Sequence, residues 1–349
     1  MQVKYESIPY HDVNWDELDS FEDRTIFQTY AWLEFVNKTH QAHPVVAVIK
    51  RGNMTIGYFT GLVFRKFGVK IMGSPFRGWT TSYMGFNLLD KGAKKEALQT
   101  LPGYVFTTLG CQYLEITDRN LCDADYSGLS YRVSKLKNQE VNLARSEDEI
   151  VSTMRGNFRR NLHKSVREGL VIEEAGPQGF AEEYYDQLLE VFGKQNLVPT
   201  YSVERVKALV DEIYPTGNLL LLRARDREGR SIASGIFLGY NRRMYFWGGA
   251  SYQRYQFHRP NEAIMWYAIR YWKQRGVVAL DLGGYAHYKE KYGPDVVYVP
   301  VFMLARHNSL FTLKDMAYKL WSVSWKLNGK LKARHQPGQS TGKTTELDS

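Results

Sequence analysis

Cysteine is nearly absent, with only Cys111 and Cys122 among 349 residues. Such a pair supplies neither a disulfide framework nor the spacing of a metal site, so no metal is expected and a reducing cytosol suits the chain. Neither cysteine has the context of a covalent nucleophile. No run of about 18 uncharged apolar residues occurs, so nothing reads as a membrane span. The start, Met1-Gln-Val-Lys-Tyr-Glu, has no apolar run behind a basic end, so no secretory signal is expected. The Gly-x-x-x-x-Gly-Lys-Ser/Thr, Gly-x-Gly-x-x-Gly, His-Glu-x-x-His and Gly-x-Ser-x-Gly motifs are all missing. Their absence removes the phosphate loops, zinc peptidase sites and nucleophile elbows that those spacings build.

What remains is a long, well-mixed globular sequence. Apolar residues make up 44% and are spread along almost the whole chain, enough for two domains of ordinary size. The net charge is +9. That excess suits phosphate-bearing partners, or simply a soluble basic protein.

Periodicity predicts alternating strands and helices. Helix patterns cover 28–39, 94–109, 148–168, 182–193, 203–213 and 261–275. Strand patterns cover 45–50, 55–64, 113–117, 219–225, 232–240, 243–248, 277–282 and 296–304. The two halves follow one order: a strand, a polar turn with glycine, a strand, an extended segment, a helix, a short strand. The short strands read Gln112-Tyr-Leu-Glu-Ile-Thr and Val278-Ala-Leu-Asp-Leu-Gly. Duplication of one unit, or the likeness of mixed sheets in general, gives such a match. A boundary is expected near 144–150, where Ser146 and Glu149 have the spacing of a capping box. The expected organisation is 1–145, 146–305, a basic amphipathic helix over 306–336 and a disordered tail over 337–349. From Arg306 onward there are eight basic and three acidic residues, with Trp321, Trp325 and several leucines. That segment is either a helix packed on its own domain or one lying on a membrane surface.

Three segments carry candidate chemistry. In the first, Ile150, Met154, Phe158, Leu162 and Val166 form an apolar stripe, with Arg155, Arg159, Arg160, Lys164 and Arg167 off it and no acid among them. Such a face can bind phosphate, or can be a solvated basic helix. Gly169 ends this helix as a left-handed residue. In the second, His258-Arg259-Pro260-Asn261 opens a helix whose free N–H groups can hold an anion, as many strand-to-helix turns do not. In the third, Asp281-Leu-Gly283-Gly284 is followed by Tyr288-Lys289. The glycines let backbone approach a ligand. Lys289 can face a developing oxyanion or be a plain surface lysine, and Asp281 can be a buried base or anchor a loop.

Together and in this order, Arg155-Gly-Asn-Phe-Arg-Arg-Asn-Leu-His-Lys-Ser-Val-Arg-Glu-Gly, Arg259-Pro-Asn-Glu-Ala-Ile-Met-Trp, Asp281-Leu-Gly-Gly and Tyr288-Lys-Glu-Lys-Tyr-Gly resemble the FemAB-like branch of the GNAT acyltransferase superfamily. Phe27-Gln-Thr-Tyr-Ala-Trp and Gly73-Ser-Pro are similar to it as well, and the likeness runs over about 20–304. The resemblance implies an α/β fold of two tandem GNAT-like domains, each with a mixed, mainly antiparallel sheet flanked by helices, around a shared cleft. It implies transfer of an acyl or aminoacyl group to an amine of a cell-envelope precursor (peptidoglycan, polysaccharide or lipid) on the cytoplasmic side, free or at the membrane's inner face. The donor would be aminoacyl-tRNA or acyl-CoA, bound as a co-substrate, with no tightly held cofactor. Tyr288 and Lys289, with Asp281, would lie at the transfer site. Arg155, Arg159, Arg160, Lys164, Arg259, Asn261, Gly283 and Gly284 would bind substrate. The alternatives are an acyl-CoA-dependent N-acetyltransferase of a sugar or small amine, and a non-catalytic module binding RNA or an anionic membrane. Two features depart from the family. Gln253-Arg-Tyr-Gln-Phe-His-Arg-Pro has no glycine where ordinary GNAT enzymes cradle the CoA pyrophosphate, and no heptads build the paired-helix arm of some bridge-forming members.

Overall fold

The computed structural model describes residues 3–66, 68–194 and 196–312. Its strands are β1 (Val3–Ile8), β2 (His43–Arg51), β3 (Met54–Lys66), β4 (Val69–Ser74), β5 (Gly85–Leu88), β6 (Tyr113–Thr117), β7 (Arg132–Asn142), β8 (Val171–Glu174), β9 (Leu219–Arg225), β10 (Ser231–Tyr240), β11 (Arg243–Ser251), β12 (Ala279–Gly284) and β13 (Asp295–Ala305). Its helices are α1 (Trp15–Asp19), α2 (Tyr30–His40), α3 (Lys94–Gly103), α4 (Asp123–Tyr126), α5 (Glu147–Thr153), α6 (Gly156–Arg167), α7 (Phe180–Gly193), α8 (Val203–Ile213) and α9 (Pro260–Gln274).

The strands join in one sheet, β1-β2-β3-β4-β6-β13-β7-β12-β11-β10-β9-β8, with β5 added beside β3. The expected mixed, mainly antiparallel α/β architecture is present. Among the described strands only β4/β6 and β11/β12 run parallel, and each parallel pair is joined through a helix, α3 or α9. The two halves thus share the strand–strand–strand–helix–strand order read from the sequence. They also exchange strands. β7 follows β6 in the chain but pairs with β12, while β13 follows β12 but pairs with β6 and β7. The sheet therefore runs unbroken through the boundary expected at 145/146.

Three apolar clusters hold the layers. One packs α3 on the first half through Ala97, Leu98 and Leu101. A second packs α9 on the second half, its residues Ile264, Met265, Ala268, Ile269 and Trp272 following helical spacing. The third spans both halves, with Trp32, Leu33 and Val36 of α2 in one cluster with Val206, Leu209 and Ile213 of α8. Burial of each Leu, Ile, Val or Met among these stabilises by about 1.5–3 kcal/mol. Arg205 of α8 adds a polar tie, donating to the Trp79 carbonyl and to Thr80 Oγ1 at 2.9 Å.

The capping box forms as expected. Ser146 Oγ accepts from the Glu149 amide at 3.3 Å, and Glu149 Oε2 accepts from the Ser146 amide at 2.8 Å, which starts α5. The single helix expected over 148–168 is two. Met154 and Arg155 are extended, so α6 begins afresh and the phase of the apolar stripe shifts. Phe158 and Ser165 are buried, whereas Val166 is 72% exposed. Val166 therefore leaves the predicted stripe. Gly169 ends α6 with φ 71°, as expected. Of the basic segment expected over 306–336, only 306–312 are described; the rest, and the tail over 337–349, lie outside the described residues.

Candidate active site

The parallel strands of the second half part company. β11 and β12 pair only from Arg243/Ala279 to Tyr245/Asp281, after which Phe246 to Ser251 run on without a strand on that side. In the first half the matching strands β4 and β6 stay paired to the end of β4, at Ser74/Ile116. Just beyond the parting, β11 carries a bulge. Ile236 of β10 faces Gly248 and Phe237 faces Phe246, so Trp247 is an extra residue. A bulge frees backbone groups and re-aims side chains. The chain thus opens a slot, lined by unpaired backbone, in one half only.

The segment that resembles the family's transfer site lies at the end of β12 bordering this slot. Lys289 is 9% exposed, and its Nζ donates to the Leu282 carbonyl at 2.7 Å and the Gly284 carbonyl at 2.8 Å. One of its three N–H groups is left over. Burial pulls the pKa of this ammonium down, and the carboxylate of Asp281 pulls it part of the way back. Lys289 is not the surface lysine that pattern alone allowed. Gly283 has φ 74°, and a Cβ there would sit 3.9 Å from Lys289 Nζ, so the left-handed turn brings the β12 carbonyls around the ammonium. Gly284 is exposed. Tyr288, beside Lys289, is 60% exposed, and Lys289 Nζ lies 5.8 Å from its ring centre.

Asp281 is buried. Its carboxylate accepts from the Gly283 amide at 2.6 Å and the Tyr83 hydroxyl at 2.7 Å. Burial and the nearby Glu140 push its pKa up, while those two donors hold it down. With both partners internal, it anchors the glycine turn, the second of the two roles open to it in the sequence. Behind it lies a polar network at the seam of the halves. The Tyr83 hydroxyl accepts from Asn138 Nδ2, and Arg119 lies 5.3 Å over the Tyr83 ring. Glu140 meets Arg119 at 3.0 Å and Arg243 at 2.8 Å.

The basic helix and the start of α9 meet the same turn. Arg155, the residue before α6, pairs with Glu290. Glu262, in the first turn of α9 and 6% exposed, receives Asn161 of α6 at 3.2 Å and Lys291 at 2.9 Å. Asn261 donates to Ser251 Oγ at 3.3 Å, and Arg259 is exposed in a left-handed conformation. Arg159 and Arg160 are exposed and Lys164 is half-buried, none with an ion-pair partner among the described residues. Residues 253–258 form a 3₁₀ turn rather than a glycine cradle.

The structure adds residues that the sequence reading passed over. Tyr83, Arg119, Asn138, Glu140 and Arg243 come from four separate stretches, and no spacing connects them. An aromatic wall stands at the bulge: Tyr184 Oη lies 3.0 Å from Tyr201 Oη, and the Tyr201 and Trp247 rings are 5.1 Å apart. Gly248 is required there, because a Cβ would sit 2.3 Å from Tyr184 Oη. No group of His, Cys, Asp and Glu among the described residues could hold a metal ion, and no described helix is long and apolar enough to cross a membrane.

Residues 152–291 match the acetyltransferase (GNAT) domain family. No curated protein matches the chain. Among solved structures, FemX is similar at TM-score 0.73 and 12% identity, over 89% of this chain and 99% of that one. A tandem GNAT protein from the clavulanic acid biosynthesis pathway is similar at TM-score 0.52 and 9% identity, over 88% of this chain and 99% of that one. The C-terminal domain of a putative lysylphosphatidylglycerol synthetase from Agrobacterium fabrum is similar at TM-score 0.52 and 9% identity, over 75% of this chain and 85% of that one. Residues 152–291 thus carry a GNAT acetyltransferase domain, and the chain as a whole shares its fold with FemX and with a tandem GNAT protein.

Proposed function

We propose that this chain transfers an acyl or aminoacyl group to an amine of a cell-envelope precursor, in the slot where β11 and β12 part. The observation that carries this reading is the slot itself, present in one half only, with Lys289 held at its edge. The likenesses to FemX and to a lysylphosphatidylglycerol synthetase domain support an envelope precursor as acceptor. The work would take place on the cytoplasmic side of the membrane.

In the proposed step the neutral amine nitrogen attacks the donor carbonyl carbon. The C=O electron pair moves to oxygen, and the remaining N–H of Lys289 with backbone N–H groups freed at the β11 bulge meet that oxyanion. Collapse breaks the bond to the donor's leaving atom, which takes the proton lost by the amine. Asp281 and Gly283 keep the end of β12 in place, Tyr288 covers the slot, and Gly284 lets substrate approach. Arg155, Arg159, Arg160, Lys164, Arg259 and Asn261 supply charge and hydrogen bonds to substrate phosphates.

The start of α9 favours aminoacyl-tRNA over acyl-CoA as donor. Pro260 offers no N–H, and the buried Glu262 carboxylate occupies the first turn. Lys291 neutralises Glu262 at 2.9 Å, so what this start lacks for a pyrophosphate is a cradle of free backbone N–H groups, residues 253–258 forming a 3₁₀ turn with no glycine. Acyl-CoA is the second reading, favoured by the match to an acetyltransferase family. The test is a mass-spectrometric search for acylated product, with muropeptide and aminolipid acceptors offered to the full chain together with aminoacyl-tRNA or acetyl-CoA. An acylated amine formed from aminoacyl-tRNA is expected. Product from acetyl-CoA alone selects the second reading, and absence of product with every donor sinks the enzymatic account.

A further inference from the structure

On its outer side α6 presents cations and an aliphatic group together. Within Gly156–Arg167 there are four lysines and arginines and no acid. Arg159, His163, Val166 and Arg167 are all exposed, and helical spacing brings them to adjoining positions. Arg227 extends the patch, donating to the Arg167 carbonyl at 2.6 Å. Val166 is 72% exposed in the midst of these charges, and Val171, just past the helix, is 59% exposed. Beneath Val166 lies a half-open groove of about 440 Å³ between α6, β8 and α9, lined by Leu162, Leu170, Ile172 and Trp266 and also by the charged Glu174, Arg270 and Arg275.

A solvated basic helix has no use for an exposed valine above a groove of mixed apolar and charged lining. A polynucleotide would use the cations alone. A bilayer surface with anionic headgroups uses both, because phosphates meet the arginines while acyl chains meet the valine and the groove. We propose that this face of α6 is a docking surface for an anionic lipid bilayer, with Val166 inserted and an acyl chain entering the groove. The surface shares Arg159 with the set proposed above to meet substrate phosphates, but docking is read without substrate, so its failure and that of the transfer reading are distinguishable.

The test is co-sedimentation of the full chain with vesicles of phosphatidylglycerol mixed with phosphatidylcholine, against phosphatidylcholine alone. Binding to the mixed vesicles that weakens with salt is expected, with little binding to the neutral ones. Val166→Asp, at a position too exposed to upset the core, should weaken binding about tenfold with an unchanged melting temperature. As a second readout, Val166→Cys on a Cys122→Ser background, labelled with a polarity-sensitive fluorophore, should shift to the blue on the mixed vesicles; Cys111 is buried and does not compete. Failure to bind overturns the proposal. So does binding that Val166→Asp leaves unchanged and that shows no blue shift, which would mean adsorption by charge alone. Binding of bulk tRNA that displaces the vesicles and ignores Val166→Asp would assign the face to a polynucleotide instead.

Discussion

Tyr83→Phe removes one oxygen from the seam between the halves, and its effect can be worked out from the contacts. The hydroxyl donates to Asp281 at 2.7 Å and accepts from Asn138, and all three residues are at most 5% exposed. The phenylalanine ring keeps the packing and leaves two buried polar groups without their partner. An orphaned buried group costs about 1–3 kcal/mol, so a loss of about 2–6 kcal/mol is expected. The loss should also depend on pH. Burial already raises the pKa of Asp281, and deletion of a donor raises it further. An acid whose folded pKa lies above its unfolded value holds, in the folded state, a proton that the unfolded chain has released. Stability therefore falls as pH rises from about 4 through the folded pKa. Urea denaturation of wild type and Tyr83→Phe at several pH values measures both effects. The variant should lose more stability near neutrality than near pH 5. A pH-independent loss under about 0.5 kcal/mol would show that this bond does not fasten the halves.

Three further outcomes follow from other parts of the molecule. Asp118 is buried, accepts from the Phe86 and Asn120 amides, and burial pushes its pKa up to about 7. Wild-type stability should thus fall between about pH 4 and 7, by at most about 1.4 kcal/mol per unit, and Asp118→Asn should flatten that slope in urea titrations. Gly248→Ala should cost about 1–3 kcal/mol by overpacking against Tyr184, and the added change Tyr184→Phe should restore part of it; no cost would mean that the wall gives way freely. A fragment of residues 1–145 lacks β13, which separates β6 from β7, and should show no cooperative melting by circular dichroism.

Much of the fold was legible because it rests on local periodicity. The strands at 113–117 and 219–225 lie where their apolar patterns placed them, and Ser146 with Glu149 starts a helix as their spacing implies. The exchange of β7 and β13 was not legible, because strand pairing across about 160 residues leaves no mark in either segment's own pattern. The broken helix at Met154 was hidden for a related reason. Four-residue spacing continues through the break in the sequence while the helix phase restarts in space, so Val166 looked like core and proved exposed. At the site, glycines and a lysine after a short strand showed where β12 ends. Tyr83 and Asn138 could not be found that way, since each is an ordinary residue until the sheet sets it beside Asp281.

The central claim is that Lys289 meets the charge developing in the slot. Single-turnover transfer by Lys289→Met, with the donor that supports product formation in wild type, tests it most directly. A rate lower by at least about a hundredfold, with an unaltered circular dichroism spectrum, is predicted; a rate equal to that of wild type would contradict it.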